Sequence, residues 1–446
     1  MLKKLKKRKG LFAAAACAVV ASWVSVTLAA FPEPGDVVNK SNMDKAQDVL
    51  TPTAEWMIKQ GMVMKVGPYK KYEWPKAYKE ATEKYAGQVK LSEDGRQLFN
   101  YVAGCPFPSI DINAPLAGSK VMWNHEYFPD FTDNVGCPWI LELVNNKGEM
   151  ERFYASHFWR RMKWEGRLYM DPKPVAPHNP QLTYTEQWGP LYAPNDLKGA
   201  GVLNFRYSPL ENPDDSYMYL PELRRVRRMS VANRSDAFWG TDIDIDSIWA
   251  FNAKPGYWTW RVLGEKQVLM AAHSGHYQDR DVWGAAPDGK SGTMAFLWSD
   301  KVNWEKRPVW VIEGIPTGYN QYAYSKRVLY QYAYSKRVMY IDKEYFNTSW
   351  SETYDHDGEL WKTWTQLMNI SKRPSAEYLA GNYDEEQVFT HNGQMLDMQI
   401  IHSSKWDCPP GYKEYYVLKY DWYFNTAKEW NTPDTFTINF LIQSAH

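Results

Sequence analysis

Apolar residues alternate with polar ones through much of the chain, and this two-residue period predicts strands. The densest stretch runs from Tyr217 to Leu269. Tyr217 and Tyr219 precede Pro221-Glu222, and Val226 and Met229 follow, which reads as strand, tight turn, strand. Trp258, Trp260 and Val262 then alternate with Thr259, Arg261 and Leu263 in a third run. Between them lies a loop rich in Asp and Trp, in which Gly240 frees the backbone to bend. The pattern is that of antiparallel strands wrapped around something, with a charged loop at one rim.

Elsewhere the period changes. Asn39 to Gly61 reads as helix in two pieces broken at Thr51-Pro52, with Ala54, Met57 and Ile58 on one side of the second piece. Met62 to Val66 is a short strand, and Trp74 to Tyr85 a further helix. Ile140 to Met170 predicts two or three long strands, and Gly201 to Tyr207 another. Val309 to Gly314 and Arg337 to Ile341 are strands, and Tyr354 to Trp364 reads as strand, Asp-Gly turn, strand. Phe436 to Leu441 is expected to be a terminal strand. QYAYSKRVLY (Gln321 to Tyr330) is followed at once by QYAYSKRVMY (Gln331 to Tyr340). One strand holding both copies would span roughly 66 Å, beyond ordinary strand lengths, so one copy is expected to loop out or extend past the sheet.

Composition narrows the class. With 446 residues, 22 Trp, 31 Tyr and 17 Phe, the chain is rich in rings that favour strands and can line an apolar cavity. The plainer reading of any single Trp is an aromatic core. Met1 to Ala29 has the form of a secretory signal, with Lys3 to Lys9 as its basic end and Leu11 to Val26 as its apolar segment. Residues 30–446 are then expected to be one exported domain with a helical segment at about 39–86. Six of the 52 basic residues and none of the 52 acidic ones fall in the signal, leaving a net of −6. That argues against a nucleic-acid partner and against charge-driven binding to anionic membranes. Cys105 and Cys137 each sit in Gly-Cys-Pro, and export permits a disulfide between them. Cys408 is expected to be unpaired.

Candidate chemistry is thin. GAAPDGKS (Gly284 to Ser291) matches a phosphate-binding loop, but HYQDRDVW before it is no buried strand and Gly292 follows where a helix should start. Asp242, Asp244 and Asp246 resemble the opening of a calcium loop, yet Ser247 replaces the turn Gly and Ala253 the bidentate Glu. Alternation puts the three carboxylates on one face, where they and Asp236 are expected to pair with Arg224, Arg225, Arg227 and Arg228 at the rim. His273 and His276, with Asp279 and Asp281 nearby, lack the helical spacing of a metal site and read as a solvated loop. No metal or cofactor is expected, and nothing argues positively for catalysis.

LPELRRVRR (Leu220 to Arg228), DAFWGTDIDIDSI (Asp236 to Ile248) and YWTWRVLGEK (Tyr257 to Lys266) resemble the domain of unknown function 1329 family, periplasmic proteins related to the lipoprotein carriers LolA and LolB. The resemblance covers nearly all of the chain after the signal. It implies a mainly β fold: one large curved antiparallel sheet, an incomplete barrel, with N-terminal helices over its open side. It also implies a carrier that binds a lipid or another hydrophobic molecule without catalysis and exchanges it with a membrane transporter. Tyr217, Tyr219, Trp239, Trp258 and Trp260 are the expected ligand contacts. The alternatives are an enzyme acting on a hydrophobic substrate in the same cavity, which a cavity with a strongly shifted carboxyl or imidazole would favour, and an interaction scaffold with no cavity.

Overall fold

The computed structural model describes residues 31–129, 133–177, 179–229, 235–274, 296–317, 333–372, 379–381, 386–407, 422–427 and 431–445. Its long strands are β1 (Asn134–Val144), β2 (Met150–Lys163), β3 (Leu182–Trp188), β4 (Gly201–Tyr207), β5 (Asp215–Leu220), β6 (Arg225–Arg228) and β7 (Trp258–Ala271), then β8 (Asn303–Pro316), β9 (Lys336–Asp342), β10 (Trp350–Tyr354), β11 (Leu360–Lys372), β12 (Glu386–Asp397) and β13 (His402–Asp407). Hydrogen-bonded neighbours run β7-β8-β9-β10-β11-β12-β13-β1-β2-β3-β4-β5-β6, every pair antiparallel. Met64–Val66 joins β8 in parallel, as Leu379–Gly381 joins Trp422–Phe424, so the sheet is mixed. β6 and β7 stand at opposite ends and do not pair, so the sheet is not closed into a barrel.

That order has one consequence for the connection between β6 and β7. Strands adjacent in sequence lie at opposite ends of the sheet, so the link between them must cross a face. Its described part, residues 235–257, does so as a strap with Ile243, Ile248, Trp249, Ala250 and Phe251 in the largest apolar core. The expected rim loop is therefore buried. β7 is not the third strand of a meander but the partner of β8.

Alternation then sorts the two faces. On the front, Trp258, Trp260, Trp310, Ile312, Met339 and Ile341 pack with the strap and with α3 (Ala117–Glu126), which contributes Val121 and Met122. On the back, Val309, Val338, Tyr340 and Trp350 pack with Ala54, Met57 and Ile58 of α1 (Pro52–Lys59). A register shift between Val262 and Gly264 swaps the parity of β7, so Glu265 reaches front Trp310 while Lys266 reaches the Leu50 carbonyl on the back. The first helices thus cover the face opposite the aromatic one, and Tyr78 of α2 (Lys76–Tyr85) joins the front core with α3.

Phe436 to Leu441 is not a strand. Thr437 caps α4 (Ile438–Gln443) by accepting the Phe440 amide at 3.2 Å, and Ile438, Leu441 and Ile442 form a helical stripe over Leu203 and Tyr219. The repeat's second copy supplies Lys336 to Tyr340 of β9; the first copy lies outside the described residues. GAAPDGKS, His276, Asp279, Asp281 and Cys408 lie outside them as well.

Candidate ligand-binding site

An apolar cleft opens on the front face, between the strap and the middle of the sheet. Its walls are Trp139 and Leu141 of β1, Tyr154 of β2, Trp188 of β3, Trp364 of β11, Trp406 of β13, and Phe238, Trp239, Thr241, Ile243, Ile248 and Trp249 of the strap. It encloses about 430 Å³ of empty space, mouth included, and no polar atom is exposed inside it. Sheet register builds the floor: Trp406 stands opposite Leu141, and Leu141 opposite Tyr154, in one row across three strands. Gly393 makes room for Trp364, since a Cβ there would meet the indole Cζ2 at 2.7 Å. The rings meet edge to face, Trp249 against Trp406 with centroids 4.5 Å apart and Trp139 against Trp188 at 5.8 Å.

Two devices hold the strap over this floor. Arg337, fully buried in β9, donates to the Ala250 carbonyl at 2.6 Å and to Ser247 Oγ at 2.7 Å. Asp242 accepts from Ser404 Oγ at 2.6 Å and bonds His402 Nδ1 at 2.7 Å. Among the described wall residues Phe238 and Trp239 are the only part-buried rings, packed on each other with centroids 4.1 Å apart. Trp239 has φ 51° and Gly240 φ 72°, a left-handed pair that turns the two rings over the mouth. The Tyr154 hydroxyl donates to the Trp239 carbonyl at 2.8 Å and pins that turn.

A second, polar cleft of about 640 Å³ lies further along the same face. Tyr101 and Tyr127 stack there with centroids 3.9 Å apart, above Glu126, Arg161, Glu165 and Thr183. Its charges are already engaged. Arg161 pairs with Glu186 at 3.2 Å, Glu126 with Arg206 at 3.2 Å, and Asp133 accepts three backbone amides at 2.6–2.7 Å. Glu165 accepts from Ser208 at 2.8 Å and Thr183 at 3.0 Å, and burial raises its carboxyl above the usual range. Between the clefts lies a smaller pocket of about 360 Å³, which includes Trp249, Arg161, Tyr184 and His125. His125 Nδ1 donates to the Phe346 carbonyl at 2.7 Å, and burial pushes its pKa down to about 4, so the imidazole is neutral.

The expected contact residues divide. Trp239 lines the apolar cleft. Trp258 and Trp260 share one face, as alternation implied; that face is the front, where they are packed in the core rather than in the cleft: they stack at 5.6 Å, and Trp260 meets Phe251 edge-on at 5.1 Å. Tyr217 and Tyr219 face the back, with Tyr219 beneath α4 and Tyr217 edge-on to Phe205. Inward Met218 and Val202 occupy the front at that point, because hairpin parity puts the tyrosines on the other side.

The expected rim ion pairs do not form. Asp242, Asp244 and Asp246 are buried under the strap, whereas Arg224, Arg225 and Arg227 are exposed and Arg228 pairs with Asp215. Asp244 accepts from Ser247 at 2.7 Å and Tyr334 at 3.2 Å; Asp236 is exposed, apart from the three. The carboxylates turn inward because the strap must cross a face where buried donors wait. Cys105 and Cys137 are both buried thiols, not a disulfide. Cys105 faces Tyr78, and Cys137 lies within β1 opposite Trp159. His273 is not solvated: it bonds Glu305 at 2.8 Å and stacks on Tyr72. Among the described residues no group of three or more His, Cys, Asp or Glu is arranged to hold a metal ion.

Sequence reading missed the strap tryptophan Trp249 and the floor tryptophans Trp139, Trp188, Trp364 and Trp406. Their strands are legible as alternating runs, but the row they form depends on which strands pair. The polar cleft was missed as well; ERFYASHFWRRMKWEG read only as strand.

Solved structures to which the chain is similar include a domain named for outer membrane lipoprotein sorting from Vibrio parahaemolyticus, 18% identical, with TM-score 0.46 over 72% of this chain and 97% of that one. A DUF1329 family protein from Desulfovibrio piger is 13% identical, with TM-score 0.45 over 75% and 100% of the two chains. A LolA superfamily protein from Nitrosomonas europaea is 11% identical, with TM-score 0.38 over 72% and 98%. No curated protein matches the chain. The family model described as "Protein of unknown function (DUF1329)" matches residues 37–333 and 331–422, the two segments overlapping inside the repeat's second copy, so the chain belongs to the DUF1329 family.

Proposed function

We propose that the protein is a non-catalytic periplasmic carrier that holds a lipid or another hydrophobic molecule in the tryptophan cleft and exchanges it with a membrane transporter. The observation that carries this reading is the cleft itself, walled by six tryptophans and exposing only carbon. The rings line it closely, so a chain enters by displacing Phe238 and Trp239. Burying an alkyl chain contributes about 0.8 kcal/mol per methylene, enough for roughly a dozen methylenes to hold without a charged contact. The signal-like segment Met1 to Ala29 supports export, and the similar domain from Vibrio parahaemolyticus is named for outer membrane lipoprotein sorting.

The test is titration of the mature protein with a fluorescent fatty acid. Trp239→Ala should weaken binding by about 1–3 kcal/mol with the circular dichroism unchanged, because a part-buried ring is lost from the mouth. Trp260→Ala should instead lower stability by about 3–5 kcal/mol, as removal of a core ring does. Failure of the wild-type protein to bind any of a panel of fatty acids, phospholipids and sterols would sink the carrier reading.

A further inference from the structure

The three cavities of the front face share their walls. Trp249 lines both the apolar cleft and the smaller pocket. Glu126, Phe128, Arg161 and Tyr184 line both that pocket and the polar cleft. Carbon-lined space at one end is therefore continued, past one indole, by space lined with hydroxyls, carboxyls and tyrosine rings. Trp249 has φ 60° and the following Ala250 φ 74°, a left-handed pair that costs energy outside glycine. Arg337 holds that pair through the Ala250 carbonyl, so the indole between the cavities is fixed by the sheet.

We propose that the cargo is a single amphiphile with a neutral, hydroxyl-rich head: its alkyl chain lies in the tryptophan cleft and its head lies in the polar cleft against Tyr101, Tyr127 and Glu165. The proposal rests on the carrier reading and names the ligand class for it. Polarity alone would admit a charged head; the partners in the cleft decide against one. Arg161 is already paired with Glu186, and the cleft sets three carboxyls, Glu126, Asp133 and Glu165, against two cations, Arg161 and Lys163, a balance that disfavours a phosphate. Glu165 would repel an anionic head directly. His125 is neutral, so the pocket between the clefts adds no positive charge. What the cleft offers is two stacked tyrosine faces and oxygens that donate or accept single hydrogen bonds, the complement of a glycosyl group.

Dodecyl maltoside, dodecanol and dodecyl phosphate, each below its aggregation concentration, test this on the mature full-length chain by tryptophan quenching. The maltoside should bind about tenfold tighter than dodecanol, the worth of one or two net hydrogen bonds. Tyr101→Ala should erase most of that preference and leave dodecanol affinity unchanged. Glu165→Gln, which keeps the shape of the cleft, gives the second reading and should shrink the preference severalfold. Equal binding of maltoside and dodecanol by the wild type overturns the proposal, as does tighter binding of the phosphate or a preference that survives both substitutions. If dodecanol and the maltoside both fail to bind, the carrier reading falls and this inference with it; binding of dodecanol without a maltoside preference leaves the carrier standing and removes only the head-group site.

Discussion

Arg337 shows how one buried charge can decide the shape of a site. Its guanidinium bonds Ala250, Ser247, Ser351 at 3.0 Å and Tyr334 at 3.3 Å, and it lies close enough to Asp244 to pull that carboxyl's pKa down against the burial that raises it. Removing it would leave the Ala250 carbonyl without this donor and take a nearby positive charge from the buried Asp244 carboxyl. Arg337→Ala should therefore cost about 2–4 kcal/mol, since a buried acceptor left unsatisfied costs about 1–3 kcal/mol and more than one is affected. Urea unfolding measures this as a lower midpoint at unchanged slope. A loss below about 1 kcal/mol would mean that the strap is held by apolar packing alone. The residue's type was readable from the sequence, but its role was not. In SKRVMY it reads as one more polar position on a strand, and only the strap crossing above it makes it a core residue.

At the scale of elements, several hydrogen bonds tie the strap to the sheet, and the one at His402 titrates. His402 of β13 bonds Asp242, whose neighbours Thr241 and Ile243 line the apolar cleft. The bond to Asp242, and beyond it Glu151, raises the imidazole pKa above its ordinary value. The protonated form thus favours the fold. Its contribution is complete below the unfolded value of about 6.5 and is lost as pH rises through the higher folded value. Stability measured over that window should fall with rising pH in the wild type, and His402→Gln should flatten the slope; an identical slope in both would remove the tie from the account. The helices show how far element-level reading reaches. Ala54, Met57 and Ile58 were recognisable as a buried stripe, yet the face they cover was not, because a stripe specifies burial and not the partner. At the C-terminus the two-residue reading failed. FTINFL carries apolar residues at both spacings, and Thr437 capping the chain against β4 and β5 decided for helix.

For the whole molecule, the organising fact is that β6 and β7, neighbours in sequence, occupy opposite ends of one open sheet. The strap this forces across the front face makes the cleft, buries the three aspartates and separates them from the arginines of β6. The tandem decapeptide bears on the same architecture. The family match divides within its second copy, and that copy supplies β9 with Arg337 and Met339. Deleting residues 321–330 should accordingly leave the melting temperature within about 2 °C of the parent, the shift of a 1–2 kcal/mol loss in a chain this long. Loss of the cooperative transition would show that both copies are needed. By itself the sequence determined the strand-rich class, most strand positions, the two-piece N-terminal helix and the sharing of one face by Trp258 and Trp260. These depend on local spacing and turn chemistry, which neighbours along the chain carry. Tertiary structure alone decided that Tyr217 and Tyr219 face the back, that Cys105 and Cys137 stay thiols, and that six tryptophans from five separate stretches meet in one cleft. Strand order and the path of a crossing segment depend on contacts between residues far apart in the chain, and no local period records them.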